Sequence, residues 1–302
     1  MIDTATNTEG KAIAACCDDR GATPAGGACC APVAEKRAAD KAADDERVRV
    51  AEIKSMVRSY YAERAVTGSA CCGEGCGCGS DADFDAIASA VGYSEEELEG
   101  SPEGANLGLG CGNPTAIDAI PEGATVLDLG SGAGMDCFLA ARKVGPAGRV
   151  IGVDMTPEMI ARARENAAKA GFENVSFRLG EIEDLPVDDA SVDVVISNCV
   201  INLSPDKPRV FREAFRVLKP GGKLMVSDLV LTGELPDSVR RSVEAYAGCI
   251  AGAEPRYRYL AQIEAAGFRR IQEAGVSDYL AALGQESLPV ISLKVYAEKP
   301  LD

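Results

Sequence analysis

The chain predicts an α/β fold built on a mostly parallel sheet, and three observations carry that prediction. From about residue 123 onward, short β-branched runs alternate with helical patterns, the signature of strand–helix–strand units. The first run ends in a glycine-rich turn that opens a helix, Asp128-Leu129-Gly130-Ser131-Gly132-Ala133-Gly134. In such sheets that turn brings backbone close to a ligand at a helix N-terminus. The third observation is the use of cysteine: 12 residues, against no histidine at all. Neither the commonest general base nor a mixed Cys/His zinc site is open to this protein.

Taken in order, residues 1–45 are rich in Ala, Gly, Asp and Lys and hold almost no large apolar side chain. Such a segment buries too little surface to offset its ordering entropy and is expected to be a disordered, cysteine-containing tail. From Arg47 to Arg64, Val50, Ile53, Met56, Val57, Tyr60 and Tyr61 recur at helical spacing, which predicts an amphipathic helix. The knot Cys71-Cys72-Gly-Glu-Gly-Cys76-Gly-Cys78 is broken by glycines and reads as a loop, and Phe84 to Val91 as a second short helix. Asn106 to Pro114 is an irregular turn with Cys111 inside it. Residues 46–120 are therefore a helical and cysteine-rich region.

Residues 121–232 form the expected core. Thr125–Leu129, Arg149–Val153, Val175–Leu179, Val192–Ser197 and Lys223–Asp228 are its strands. Met135 to Val144 and a segment opened by Thr156-Pro157-Glu158 are helices, the latter with a cap residue and a proline at its first turn. Lys219-Pro-Gly-Gly222 reads as a tight turn before the last strand. Residues 233–302 are expected to be helical around Cys249 and to close with a strand over Leu288–Tyr296.

The apolar fraction of 46% and charged fraction of 26% are those of an ordinary globular protein. A formal charge of −16 argues against nucleic acid as a partner, since phosphate contact needs clustered Lys and Arg. No run approaches the length needed to span a bilayer, and the first ten residues lack a leader pattern. A cytoplasmic protein with reduced thiols is expected.

The turn after the first strand is G-x-G-x-G; a dinucleotide fingerprint would need glycine where Met135 stands. It resembles the S-adenosylmethionine (SAM) loop of class I methyltransferases. Asp154, at the end of the second strand, and Gly180-Glu181-Ile182-Glu183-Asp184-Leu185-Pro186 resemble that family's ribose and adenine segments. The resemblance implies a Rossmann-like sheet with helices on both faces and SAM as cofactor. It implies that Asp128, Gly130, Ser131, Gly132, Gly134, Asp154, Met155, Glu181, Ile182 and Asn198 hold that cofactor.

Ser197-Asn198-Cys199-Val200-Ile201-Asn202-Leu203, Gly248-Cys249-Ile250-Ala251-Gly252-Ala253, Leu109-Gly110-Cys111-Gly112-Asn113-Pro114 and Asp154-Met155-Thr156-Pro157 narrow this further. Over roughly residues 47–302 the chain resembles SAM-dependent arsenite methyltransferases. That resemblance implies methyl transfer to arsenite or methylarsenite, with glutathione or thioredoxin as reductant. It implies that Cys199 and Cys249 hold As(III) together with a cysteine of the Cys71–Cys72 pair. Cys72, Cys111, Cys199 and Cys249 would then be the catalytic set, Cys111 handing on arsenic or forming a disulfide during turnover. Arsenic(III) is soft and prefers thiolates over oxygen donors, by extension of the rule for metals.

Cys137 reads as a packing residue in the first core helix. A zinc site remains a rival for the Cys71–Cys78 knot, and Cys16, Cys17, Cys29 and Cys30 are open between a thiol relay and an inert tail. A methyltransferase acting on a small organic molecule, and a metalloid-sequestering protein, are the rival functions.

Overall fold

The computed structural model describes residues 31–67, 84–282 and 288–302. Cys16, Cys17, Cys29, Cys30, Cys71, Cys72, Cys76 and Cys78 lie outside the described residues. The chain divides into two units, Met1–Glu52 and Ile53–Asp302. The described part of the first is helical and leaves Arg47, Val48 and Arg49 exposed. The second holds the sheet and the candidate site.

Helix α1 runs over Ala31–Thr67, beginning well before the expected start at Arg47. The reason is local: Ala, Glu, Lys and Arg dominate its first half, and helix propensity needs no core to act on. Two short helices follow, α2 (Phe84–Ala90) and α3 (Glu95–Glu99). A capping box starts α3, with the Glu97 amide donating to Ser94 Oγ and the Ser94 amide to the Glu97 side chain.

The core then alternates β1 (Thr125–Leu129), α4 (Met135–Val144), β2 (Arg149–Asp154), α5 (Pro157–Ala170), β3 (Val175–Leu179) and β4 (Val192–Asn198). Helix α6 (Lys207–Val217) leads into β5 (Leu218–Leu231). The C-terminal part adds α7 (Asp237–Arg240), α8 (Val243–Ala247), β6 (Glu254–Pro255), α9 (Arg256–Ala265), β7 (Arg269–Ser277), α10 (Tyr279–Ala282) and β8 (Val290–Glu298). The turn predicted at Lys219–Gly222 is an irregularity inside β5: Val192 pairs with Leu218, and Val194 with Lys223. Pairing continues on both sides of it because β5 lies between β4 and β8.

Among the described residues the strands form one sheet in the order β3-β2-β1-β4-β5-β8-β7, with β6 beside β5. Strands β1 to β5 are parallel, and β8 pairs antiparallel with both β5 and β7. Alternate residues of each strand feed two cores. Val126, Val150, Val194 and Ile196 pack with Phe138, Ala141, Ile160 and Ala163 of α4 and α5. Leu127, Leu129, Val153, Val195 and Val226 pack with Val210, Phe211, Tyr259 and Ile263 of α6 and α9. Each fully buried side chain of this size contributes about 1.5–3 kcal/mol. No described helix is long and apolar enough to cross a membrane.

The chain direction across the sheet reverses between β1 and β4. Ligands bind at the carboxyl ends of strands at such a switch point. The register there sets Asp128 against Ile196 and Leu129 against Ser197, so the glycine turn after β1 adjoins the Asn198–Cys199 end of β4.

Candidate active site

A cleft opens at this switch point, walled by Asp128, Gly130, Ser131, Gly132, Asp154, Met155, Ile182, Glu183, Asn198 and Cys199 among others. Its floor is the glycine turn. Side chains at Gly130 or Gly134 would strike protein, Val200 in the first case, Phe138 and Phe177 in the second. Gly132 is different: φ is +51° and a Cβ there would meet nothing within 4 Å. Its missing side chain therefore makes room for a ligand rather than for the protein.

Asp154 accepts from the Gly132 amide (3.0 Å) and the Thr156 amide (2.8 Å), which fixes its carboxylate at the cleft wall. The buried Ser131 hydroxyl has no hydrogen-bond partner among the described residues. An open backbone cradle, an unpaired hydroxyl and an oriented carboxylate fit a nucleoside with hydroxyls to be bound, so the residues present suit SAM.

The cleft is also rich in buried carboxyls. Burial, then the neighbouring Asp136, pushes Asp128 well above the usual carboxylate range. Burial raises Asp136 to about 6 against the opposing hydrogen bonds of Tyr93 and Asn198. Burial likewise raises Asp154, against the two amides that favour its charged form. Tyr93 donates to Asp136 at 2.7 Å, and the Asn198 amide reaches Tyr93, Asp136 and the Gly112 carbonyl at 2.7, 3.0 and 2.7 Å. Asn198 Oδ1 in turn accepts from the Cys111 amide at 3.0 Å. One asparagine thus ties Asp136 and Tyr93 to the Cys111 turn. That turn approaches β4 and β5 closely: a Cβ at Gly110 would lie 2.6 Å from Asn198 Nδ2, and one at Gly112 2.6 Å from Ser227 Oγ.

The thiols gather immediately beyond. The Sγ atoms of Cys111 and Cys199 and a carboxylate oxygen of Asp228 lie within 4.8 Å of one another. The Cys249 thiol donates to the Cys199 carbonyl at 2.5 Å. All three cysteines are buried in one apolar cluster with Val57, Leu203, Leu229, Leu235, Ala253 and Val290. Burial, then the adjacent thiols of Cys111 and Cys249, pushes Cys199 well above the ordinary thiol range, and burial raises Cys111.

Cys199 and Cys249 both adopt left-handed backbone, at φ +56° and +64°. Cys199 sits where β4 turns abruptly into the 3-10 segment Ile201–Leu203, and Cys249 immediately follows the Gly248 cap of α8. Each is a sharp elbow at the end of a regular element. Non-glycine residues held this way cost on the order of 1–3 kcal/mol each and cluster at functional sites.

Most of the expected cofactor residues meet at this cleft. Gly134 instead caps α4, and Glu181 turns to Lys54 at 2.7 Å, leaving Ile182 and Glu183 on the wall. Cys111 stands with Cys199 and Cys249, while the Cys71–Cys72 pair falls outside the described residues. Cys137 is buried in the core and donates to Asp128 at 3.2 Å. Lys54, Tyr93, Asp136 and Asp228 escaped sequence reasoning. Lys54 left a signal, as a cation on the same helical stripe as Val57 and Tyr61. Asp136 resembled an ordinary acid in a first helical turn.

The methyltransferase-domain family model matches residues 120–283. With the reversal of strand order and the cleft at its centre, this makes the protein a class I SAM-dependent methyltransferase by fold. An arsenite methyltransferase of Halobacterium salinarum is 52% identical over 230 residues, 74% of this chain and 59% of that protein. The human arsenite methyltransferase is 37% identical over 68% of this chain and 55% of its own. The crystal structure of an arsenic(III) S-adenosylmethionine methyltransferase from Chlamydomonas reinhardtii superposes with a TM-score of 0.50 at 36% identity, covering 71% of this chain and 73% of that one. The chain belongs to the arsenite methyltransferase family. It spans somewhat more than half the length of the two curated relatives named above.

Proposed function

We propose that this protein transfers methyl groups from SAM to trivalent arsenic held by the thiolates of Cys199 and Cys249 together with a cysteine of the Cys71–Cys72 pair, with Cys111 beside them to hand arsenic on. The observation that carries the reading is the gathering of three buried cysteines in one apolar cluster, two of them on left-handed elbows, with Cys199 on the wall of the cofactor cleft.

The carboxyls of Asp128, Asp136 and Asp154 line the cleft, where a ligand carrying a sulfonium and an amino group would favour their charged forms. Bound there, SAM supplies an electrophilic methyl. Burial disfavours the anions of Cys111 and Cys199 in the free protein. Arsenite arrives as a hydroxide, so each thiol proton leaves as water when a sulfur–arsenic bond replaces an oxygen–arsenic bond. Three sulfurs leave arsenic pyramidal with a lone pair as the nucleophile. That nucleophile has no proton to lose, so a chain without histidine lacks nothing. What the residues contribute is alignment, with reacting atoms held about 3–3.5 Å apart.

Methyl transfer draws two electrons from arsenic, and an external thiol such as glutathione or thioredoxin returns them. Methylarsenite fits as a second substrate, since it keeps two exchangeable positions for thiolates. Reduced thiols of this kind belong to the cytoplasm.

The test is direct. Purified protein is incubated with arsenite, SAM and a thiol reductant, and the arsenic species are separated by chromatography. Methylated arsenicals with matching S-adenosylhomocysteine are expected. Unmethylated arsenite with intact SAM overturns the reading.

A further inference from the structure

Helix α1 sends one cation into the wall of the cofactor cleft. Lys54 Nζ lies 2.7 Å from Glu181 Oε2 and 3.2 Å from Glu183 Oε2, and Arg58, one turn further on, adds a contact to Glu181 at 3.7 Å. Lys54 is mostly buried and itself lines the cleft beside Asp154, Ile182 and Glu183. Burial alone would lower its pKa, but the two glutamates outweigh this and raise it. Val57 and Tyr61, three and seven residues on, continue the same wall, and Tyr61 donates to the Ala247 carbonyl at 2.9 Å.

The partner of this cation is an acidic turn. Glu181-Ile182-Glu183-Asp184 reverses the chain after β3, with the Asp184 amide donating to the Glu181 carbonyl at 3.1 Å. Glu183 is almost fully buried, and its second oxygen accepts from Ser204 Oγ at 2.6 Å. Between the two glutamates Ile182 faces the cleft. Two carboxylates one residue apart repel, and a buried anion without a counter-charge is strongly unfavourable. One ammonium bridging both holds the turn closed and Ile182 in place.

We infer that Lys54 is a positioning residue for the adenosine end of the cofactor, acting from α1 by clamping the Glu181–Asp184 turn. This rests on reading the cleft as the SAM site and adds to it a contribution from outside the sheet. Loss of the clamp is expected to weaken nucleoside binding roughly tenfold, equivalent to about 1.4 kcal/mol.

The experiment measures binding of S-adenosylhomocysteine and of 5′-methylthioadenosine by calorimetry to the wild type, Lys54→Met and Lys54→Arg. Arsenite binding is followed in parallel by the ultraviolet arsenic–thiolate band. Lys54→Met is expected to weaken both nucleosides by about the same tenfold factor. Lys54→Arg should restore most of that loss, and arsenite binding should stay within about twofold of wild type in both variants. Unchanged nucleoside affinity in Lys54→Met overturns the inference. So does a loss confined to S-adenosylhomocysteine, an equal loss of arsenite binding, or no rescue by arginine. A wild type that binds neither nucleoside overturns the reading of the cleft itself, an outcome separate from these.

Discussion

The glycine turn after β1 and the cysteine elbows at 199 and 249 all use left-handed backbone, with opposite residue types. Gly130, Gly132 and Gly134 adopt φ of +68°, +51° and +100°, while Cys199 and Cys249 stand at +56° and +64°. At the turn a residue without Cβ takes the conformation freely, and at Gly130 and Gly134 it also avoids neighbouring side chains. At the elbows a side chain is kept in the same conformation, which carries strain. Surroundings hold it there: the Cys199 amide donates to the Ser227 carbonyl at 2.8 Å, and both elbows are sealed in the apolar cluster around Leu229. The cofactor half carries a different cost, in its buried carboxyls. One half of the site stores its cost in dihedral angles, the other in charge.

The sharpest break of this comparison is Cys249→Ser or Cys199→Ser. Each should lower the methylation rate on the order of 1000-fold, as for loss of one member of a catalytic set. Affinity for S-adenosylhomocysteine should stay within about twofold. Equal loss of both, measured by turnover and calorimetry, would show that the halves are not separable.

Charge storage in the cofactor half predicts a pH dependence. Asp136 sits at about 6 in the folded protein, against about 3.9 when unfolded. Between those values the folded state binds the extra proton, so stability falls as pH rises from about 4 to about 7, by on the order of 2 kcal/mol. Urea unfolding across that range should show the decline in the wild type and a flatter profile in Asp136→Asn.

Gly132→Ala places a methyl group in the open cradle and forces alanine to φ +51°. It should weaken S-adenosylhomocysteine by roughly tenfold or more while leaving arsenite binding intact. The smallest effect tests the elbows themselves. At position 199, glycine should be more stable than alanine by about 1 kcal/mol in chemical unfolding, the reverse of the usual order. Alanine as stable as glycine would mean that the elbow stores no strain.

Much of the sheet was legible because β1, β2 and β4 are buried on both faces and read as continuous apolar runs. Strand β7 was not singled out: Arg269–Ser277 leaves most of its side chains exposed and shows no apolar alternation, and pairing with β8 makes it a strand. The early start of α1 was hidden by the rule that a chain without large apolar residues stays disordered, which ignores local propensity. Within the site, the glycine turn and Asp154 were readable as contiguous motifs. Tyr93, Asp228 and Lys54 come from distant segments, and only packing brings them in.

The sequence by itself determined the parallel core, the cofactor turn and the thiol chemistry, because each is written in local pattern: apolar runs, glycines at fixed spacing, cysteine without histidine. Tertiary structure alone decided which thiols meet. Cys111, Cys199 and Cys249 are separated by 88 and 50 positions in the chain. They converge because strand order reverses between β1 and β4, so the end of β4, the Cys111 turn and the cap of α8 share one end of the sheet. Burial there, which no spacing in the chain encodes, raises the Cys111 and Cys199 thiols above the ordinary range.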